Sequence, residues 1–239
     1  MNDANASGNH WEIVLDGAPS DLDQWKWAFE AGDTWVEPRA IDGKNYVLRS
    51  KQLAGCTTAL EARDTSKKII EYLNGIMRAE ADTELVHQFA VVEVSPDDRL
   101  HRTIIPETAR FRATFFPATI TASAAAAPAP GQTRPQRVLA RAATDRILRD
   151  LLLHYGKDPN WIDLFKTYEA WARLTRGLSR QSWKPSNNQL EKFNRTADYY
   201  YRHAFDPNKQ APPRPMTLED AAQMIDNMVK SALNAIEPK

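Results

Sequence analysis

The run Ala122-Ser123-Ala124-Ala125-Ala126-Ala127-Pro128-Ala129-Pro130-Gly131-Gln132-Thr133-Arg134-Pro135 divides the chain. Repeated alanine and proline favour an extended, semi-stiff backbone with no face to pack. Residues 122–135 are therefore expected to form a flexible linker. Before it, residues 10–121 mix strand and helix signals. After it, residues 136–239 read as helix.

In the first half, Trp11-Glu12-Ile13-Val14-Leu15 alternates like a strand. Ser20 with Asp23 suggests a helix start, followed by Leu22, Trp25 and Phe29 at helical spacing. Asp42-Gly43 between Trp35-Val36 and Tyr46-Val47-Leu48 predicts a hairpin. Thr58 and Glu61 form a second capping signature, for a helix to about residue 80 with Ala62, Ile69, Leu73 and Ile76 on one side. Phe89 to Val94 is a nearly continuous apolar strand, turned by Ser95-Pro96-Asp97-Asp98, and further strands are expected near 100–106 and 109–121. The order strand, helix, strand, strand, helix, strand predicts an α+β fold with a ferredoxin-like sandwich at 10–121. Phe111, Phe115 and Phe116 are expected in its core.

The second half predicts a four-helix bundle at 136–239. Its first helix is placed at 137–155, with Ile147, Leu148, Leu151, Leu152 and Tyr155 as the apolar stripe and Gly156 as the stop. Asp158 and Pro159 are read as the start of the second, with Trp161, Leu164, Phe165, Tyr168, Trp171 and Ala172 as its buried face. Ser186 and Gln189 open the third, with Leu190, Phe193, Ala197, Tyr200 and Tyr201 inward. Thr217 and Asp220 open the last, with Leu218, Ala222, Ile225, Met228, Val229, Ala232 and Ile236.

Composition bounds the function. Of 239 residues, 42% are hydrophobic and 26% charged, which is ordinary for a globular chain. The lone Cys56 has no intramolecular partner, and Met1 to Asn5 lacks a signal-peptide pattern, so a cytoplasmic location is expected. Residues 113–133 carry no charge, but Pro117, Pro128 and Pro130 argue against a membrane helix. No glycine pair fits a dinucleotide or phosphate loop, and no serine sits in G-x-S-x-G. The histidines His10, His87, His101, His154 and His203 show no metalloprotease spacing, and no metal or cofactor is expected. The zero net charge hides an asymmetry: residues 1–120 hold six more acids than bases, and residues 131–214 hold eight more bases than acids.

One cluster carries chemistry. Asn194-Arg195-Thr196-Ala197-Asp198-Tyr199-Tyr200-Tyr201-Arg202-His203 is rich in cations and aromatics. On a regular helix Arg195, Tyr199 and Arg202 share one flank, and His203 adjoins it. Arg grips anionic groups through its fork of donors, Tyr stacks on planar ones, and His moves protons near neutral pH. The helical unit with its aromatic second helix, its Arg/His-bearing third helix and the following Pro-rich turn resembles the HEPN superfamily over about residues 137–237. In catalytic members an Arg precedes a His by four to six intervening residues. The resemblance would put those roles on Arg195 and His203, where seven intervene; non-catalytic members serve as interaction or nucleotide-sensing bundles. The same run is also similar to segments of uncharacterised bacterial proteins.

The expectation is a non-enzymatic bacterial adaptor or regulatory protein. It would contact a protein partner, or a second copy of itself, through Arg195, Tyr199, Arg202 and His203. Two alternatives stand beside it. One is a metal-independent ribonuclease with His203 as general acid/base and Arg195 stabilising the phosphorane. The other is a nucleic-acid-binding module without catalysis.

Overall fold

The computed structural model describes residues 10–30, 32–38, 46–95, 100–104, 133–176, 183–199 and 212–237. The fold is α+β. Five strands, β1 (His10–Asp16), β2 (Thr34–Pro38), β3 (Tyr46–Ser50), β4 (His87–Val94) and β5 (Leu100–Ile104), form one sheet in the order β2-β3-β1-β4-β5, and every neighbouring pair is antiparallel. Register sets the faces, because side chains alternate along a strand. Val36, Leu48, Ile13 and Val91 are aligned across four strands and line the core face. Val14, Val47, Ala90, Val92 and Val94 form a smaller buried cluster on the other face.

Helix α1 (Pro19–Ala28) packs Trp25 edge-on against Phe29. It does not begin with the expected Ser20–Asp23 cap: Ala18 is the N-cap and makes no side-chain bond. Pro19 explains the difference, since its fixed φ suits the first helical position and its missing N–H is not needed there. Helix α2 (Ala59–Ala81) starts as expected, with the Thr58 hydroxyl accepting from the Glu61 N–H. The Asn74 amide both donates to the Val86 carbonyl and accepts from its N–H, each at 2.9 Å. That pair holds the entry to β4 against the middle of α2.

The remaining helices are α3 (Arg134–Thr144), α4 (Arg146–Tyr155), α5 (Trp161–Leu174), α6 (Asn187–Ala197) and α7 (Leu218–Ile236). The single helix expected over 137–155 is two. Asp145 is extended (φ −100°, ψ 102°) and its carboxylate accepts from the N–H groups of Ile147 and Leu148, so an aspartate inside a helical pattern acts as a cap and restarts the helix. The cap of α5 is Asn160, which accepts from the Asp163 N–H, and not Asp158. Ser186 with Gln189, and Thr217 with Asp220, cap α6 and α7 as expected. Trp161 and Trp171 are buried, and Phe193 of α6 lies parallel to Phe165 of α5 at 6.1 Å.

The core does not break where the composition does. One apolar cluster runs from Ile13 and Leu15 of β1, through Leu73, Ile76 and Met77 of α2, to Leu151 and Leu152 of α4 and Met228 and Val229 of α7. Of the expected linker, residues 133–135 are the capped start of α3, where the Thr133 hydroxyl also donates to the Ala28 carbonyl that ends α1. The rest of it lies outside the described residues, as do Phe111, Phe115, Phe116 and the strand expected at 109–121.

Helices α2 and α4 meet backbone to backbone. A Cβ on Gly156 would stand 1.7 Å from the Glu71 carbonyl oxygen, and one on Gly75 would stand 2.2 Å from that of Leu152. Only two glycines allow this approach. It places the end of α4 directly on the helix that supports the sheet.

Candidate functional site

Helix α6 is positioned from its buried side. Phe193 packs among Trp161, Phe165 and Tyr168 of α5. The Thr196 hydroxyl donates to the Lys192 carbonyl and accepts from the Met216 N–H at 3.0 Å, which ties α6 to the approach to α7. Burial of Phe193, Thr196 and Ala197 turns Arg195 outward. Its side chain is 67% exposed and pairs at 2.7 Å with Glu191, itself 57% exposed.

Of the four expected contact residues, Arg195 and Tyr199 fall in the described structure, and Arg202 and His203 lie outside it. Regular helix stops at Ala197, and Asp198 and Tyr199 enter a wider, π-type turn. The single flank through Arg195, Tyr199 and Arg202 assumed 3.6 residues per turn up to residue 203. That assumption ends at Asp198. Tyr199 is half-buried, and the exposed cations of α6 are Lys192 and Arg195.

The arginines of α3 behave differently. Arg134 Nε donates to the Glu237 carbonyl at 2.9 Å, another of its nitrogens donates to Asn234 Oδ1, and it pairs with Glu80 of α2. Arg137 pairs with the Glu237 carboxylate at 2.6 Å, and Arg141 donates to the Ile236 carbonyl at 2.7 Å. The last carbonyls of a helix lack intrahelical donors, and cations there also meet the negative end of its dipole. Part of the basic excess read from the sequence is thus spent inside the molecule, closing the end of α7.

Two polar clusters escaped the sequence analysis. At the α4–α5 corner, Asp163 accepts from His154 Nδ1 and from Asn160 Nδ2, each at 2.7 Å, and Lys157 Nζ lies 3.5 Å away. Burial pushes the Asp163 carboxyl up, but the bonds from Asn160 and His154 with the charge of Lys157 outweigh it and leave it below its ordinary range. The second cluster joins three helices. Tyr155 donates to Asp226, Arg78 lies over the Tyr155 ring at 4.7 Å, and Lys230 bridges Asp226 to Asp82. Burial holds the Tyr155 phenol well above its usual range. Lys230 is raised even though burial opposes its charge, because both carboxylates stabilise it. The signal for the first cluster is a short helix–Gly–helix connection, which brings the last turn of one helix against the first turn of the next. The second has no local signal, because its members are far apart in sequence.

Among the described residues no group of three His, Cys, Asp or Glu side chains is placed to hold a metal ion, and no helix is long and apolar enough to cross a membrane. Compared with family models, curated proteins and solved structures, the chain matches none.

Proposed function

We propose that the chain is a non-enzymatic interaction protein whose contact surface is the outward basic flank of α6. The observation that carries this reading is the contrast between Arg195 and the arginines of α3. Arg134, Arg137 and Arg141 close the end of α7, whereas Arg195 points to solvent beside an exposed Glu191. An exposed Arg on a helix whose other side is locked by aromatic packing is a preorganised donor for an acidic partner. The scaffold is read as a ferredoxin-like sandwich joined to a helical bundle. Support for the sandwich is the order β4-β1-β3-β2 with antiparallel neighbours. Support for the bundle is that α4, α5, α6 and α7 all contribute to one apolar cluster.

The test is capture from the native host by the tagged full chain, wild type and Arg195→Glu, each with and without nuclease. The expected result is a protein partner that survives nuclease and is lost with Arg195→Glu. Capture that disappears with nuclease would instead favour the nucleic-acid-binding module. Cleavage of mixed RNA in chelator, abolished by His203→Ala, would replace this reading with the ribonuclease.

A further inference from the structure

The face of the sheet turned away from the core is also covered, and among the described residues no helix covers it. Val14, Val47, Ala90, Val92 and Val94 on that face are 0–4% exposed in the single chain. Glu12 and Arg49 alternate onto the same face and pair there, and Glu12 is buried as well. The buried Leu, Ile, Val, Met and aromatic side chains of α1 to α7 all belong to the other cluster, on the core face. A further part of the chain therefore lies on this second face. Residues 1–9 hold no aromatic side chain and, Met1 apart, no aliphatic one larger than alanine. Residues 39–45 and 96–99 are short connections between paired strands. Residues 177–182 and 200–211 connect helices whose buried side chains lie in the core cluster.

The 28 residues 105–132 differ in length, path and pattern. They leave β5 at Ile104, the register partner of Ala90. They end at Thr133, whose hydroxyl donates to the Ala28 carbonyl at the end of α1. Strand β5 is one edge of the sheet, and β2, the strand that follows α1, is the other. Crossing from edge to edge takes four interstrand steps, roughly 19 Å. A segment of 28 residues reaches up to about 90 Å. The core face is already filled by helices, so the open route is the second face. Ala109-Arg110-Phe111-Arg112-Ala113-Thr114-Phe115 alternates apolar and polar residues, the pattern of a segment with one covered side.

We propose that residues 105–132 cross the second face of the sheet and cover Val14, Val47, Ala90 and Val92 with Phe111 and Phe115. A sheet with one bare face can receive a partner on it. Here the chain occupies that face itself, which leaves recognition to other surfaces such as the flank of α6.

The experiment uses the full chain with Cys56→Ser, so that one introduced thiol reports. Val92→Cys places the thiol on the second face, and Val91→Cys places it one residue away on the core face. Each is labelled with a maleimide in native buffer, with and without the pair Phe111→Ser and Phe115→Ser. In the parent chain both thiols should react slowly beside Thr103→Cys, an exposed position of β5. The serine pair should speed Val92→Cys by about tenfold or more and leave Val91→Cys slow, because labelling of a buried thiol follows the population in which its cover is open. Fast labelling of Val92→Cys in the parent chain overturns the proposal, and so does a rate that the serine pair leaves unchanged. Labelling of Val92→Cys that quickens on dilution assigns the cover to a second copy and overturns it too. If both thiols quicken together, the serine pair has loosened the whole fold, and a gentler change decides. Benzoylphenylalanine in place of Phe115 keeps an aromatic ring and, on irradiation, should crosslink to β1, β3 or β4 of the same chain. Crosslinks to helices alone, or between chains, overturn the proposal.

Discussion

The seam around α2 and the flank of α6 use the same kinds of side chain for opposite ends. At the seam, Arg134 is 11% exposed and meets Glu80 at 7%, Arg78 lies on the Tyr155 ring, and two glycines let backbones touch. On the flank, Arg195 and Glu191 pair in open solvent. A buried charge that loses its partner is costly, whereas an exposed one is re-solvated. The lesson is that a basic excess in the sequence has no single meaning. In α3 it closes a helix end, and on α6 it remains available to something else.

The largest expected effect tests the seam at its closest point. In Gly156→Ala the new methyl would overlap the Glu71 carbonyl oxygen at 1.7 Å and the Gly75 nitrogen at 2.6 Å. Both are backbone atoms of a helix anchored to the sheet, so neither can yield as a side-chain tip would. Destabilisation of about 4 kcal/mol or more is expected, in the range reserved for severe core defects. Urea unfolding measures it. A loss under about 1 kcal/mol would mean that α2 and α4 do not touch at these glycines.

Next comes Arg134→Met, which breaks the buried pair of Arg134 with the Glu80 carboxylate. A cost of about 3–5 kcal/mol is expected from breaking one side of such a pair. Adding Glu80→Leu should recover much of it, because the buried carboxylate is then gone. A double variant no better than the single one would show that Arg134 acts through the Glu237 and Asn234 bonds instead.

The elements of both regions were largely legible in the sequence. Thr58, Ser186 and Thr217 cap α2, α6 and α7, and the stripes of Leu73 and Ile76, or Met228 and Val229, are buried as their periodicity requires. What was not legible is how the elements meet. Gly75 and Gly156 are 81 positions apart, and nothing local marks either as a crossing point. Asp145 looked like one polar residue inside a long helix, yet its short carboxylate bonds the next turn and splits it. The candidate site was legible in part. Arg195 could be set on an outward flank because Phe193 and Ala197 fix the opposite side. The rest of that flank assumed a regular helix, which ends at Ala197. His154 and Asp163 lie across a short helix–Gly–helix connection that the sequence does mark, but nothing in it says which side chains of the two turns meet.

The smallest expected effect on stability is also the one that separates flank from seam. Arg195→Glu removes the pair with Glu191 and sets two acids one turn apart, and each of those changes is worth only a few tenths of a kcal/mol on an exposed helix. It also takes a cation from the last turn of α6, where the dipole favours one, again by a screened and modest amount. The total loss should stay below about 1 kcal/mol and shrink with added salt, because every contribution is an exposed charge interaction. Phe193 and Thr196 continue to hold the helix, so its shape is kept. If urea unfolding instead shows several kcal/mol lost, Arg195 belongs to the fold as Arg134 does, and the flank ceases to be a free surface. If stability holds while partner capture disappears, the charge of Arg195 is spent on recognition, which is the one role the internal arginines leave open to it.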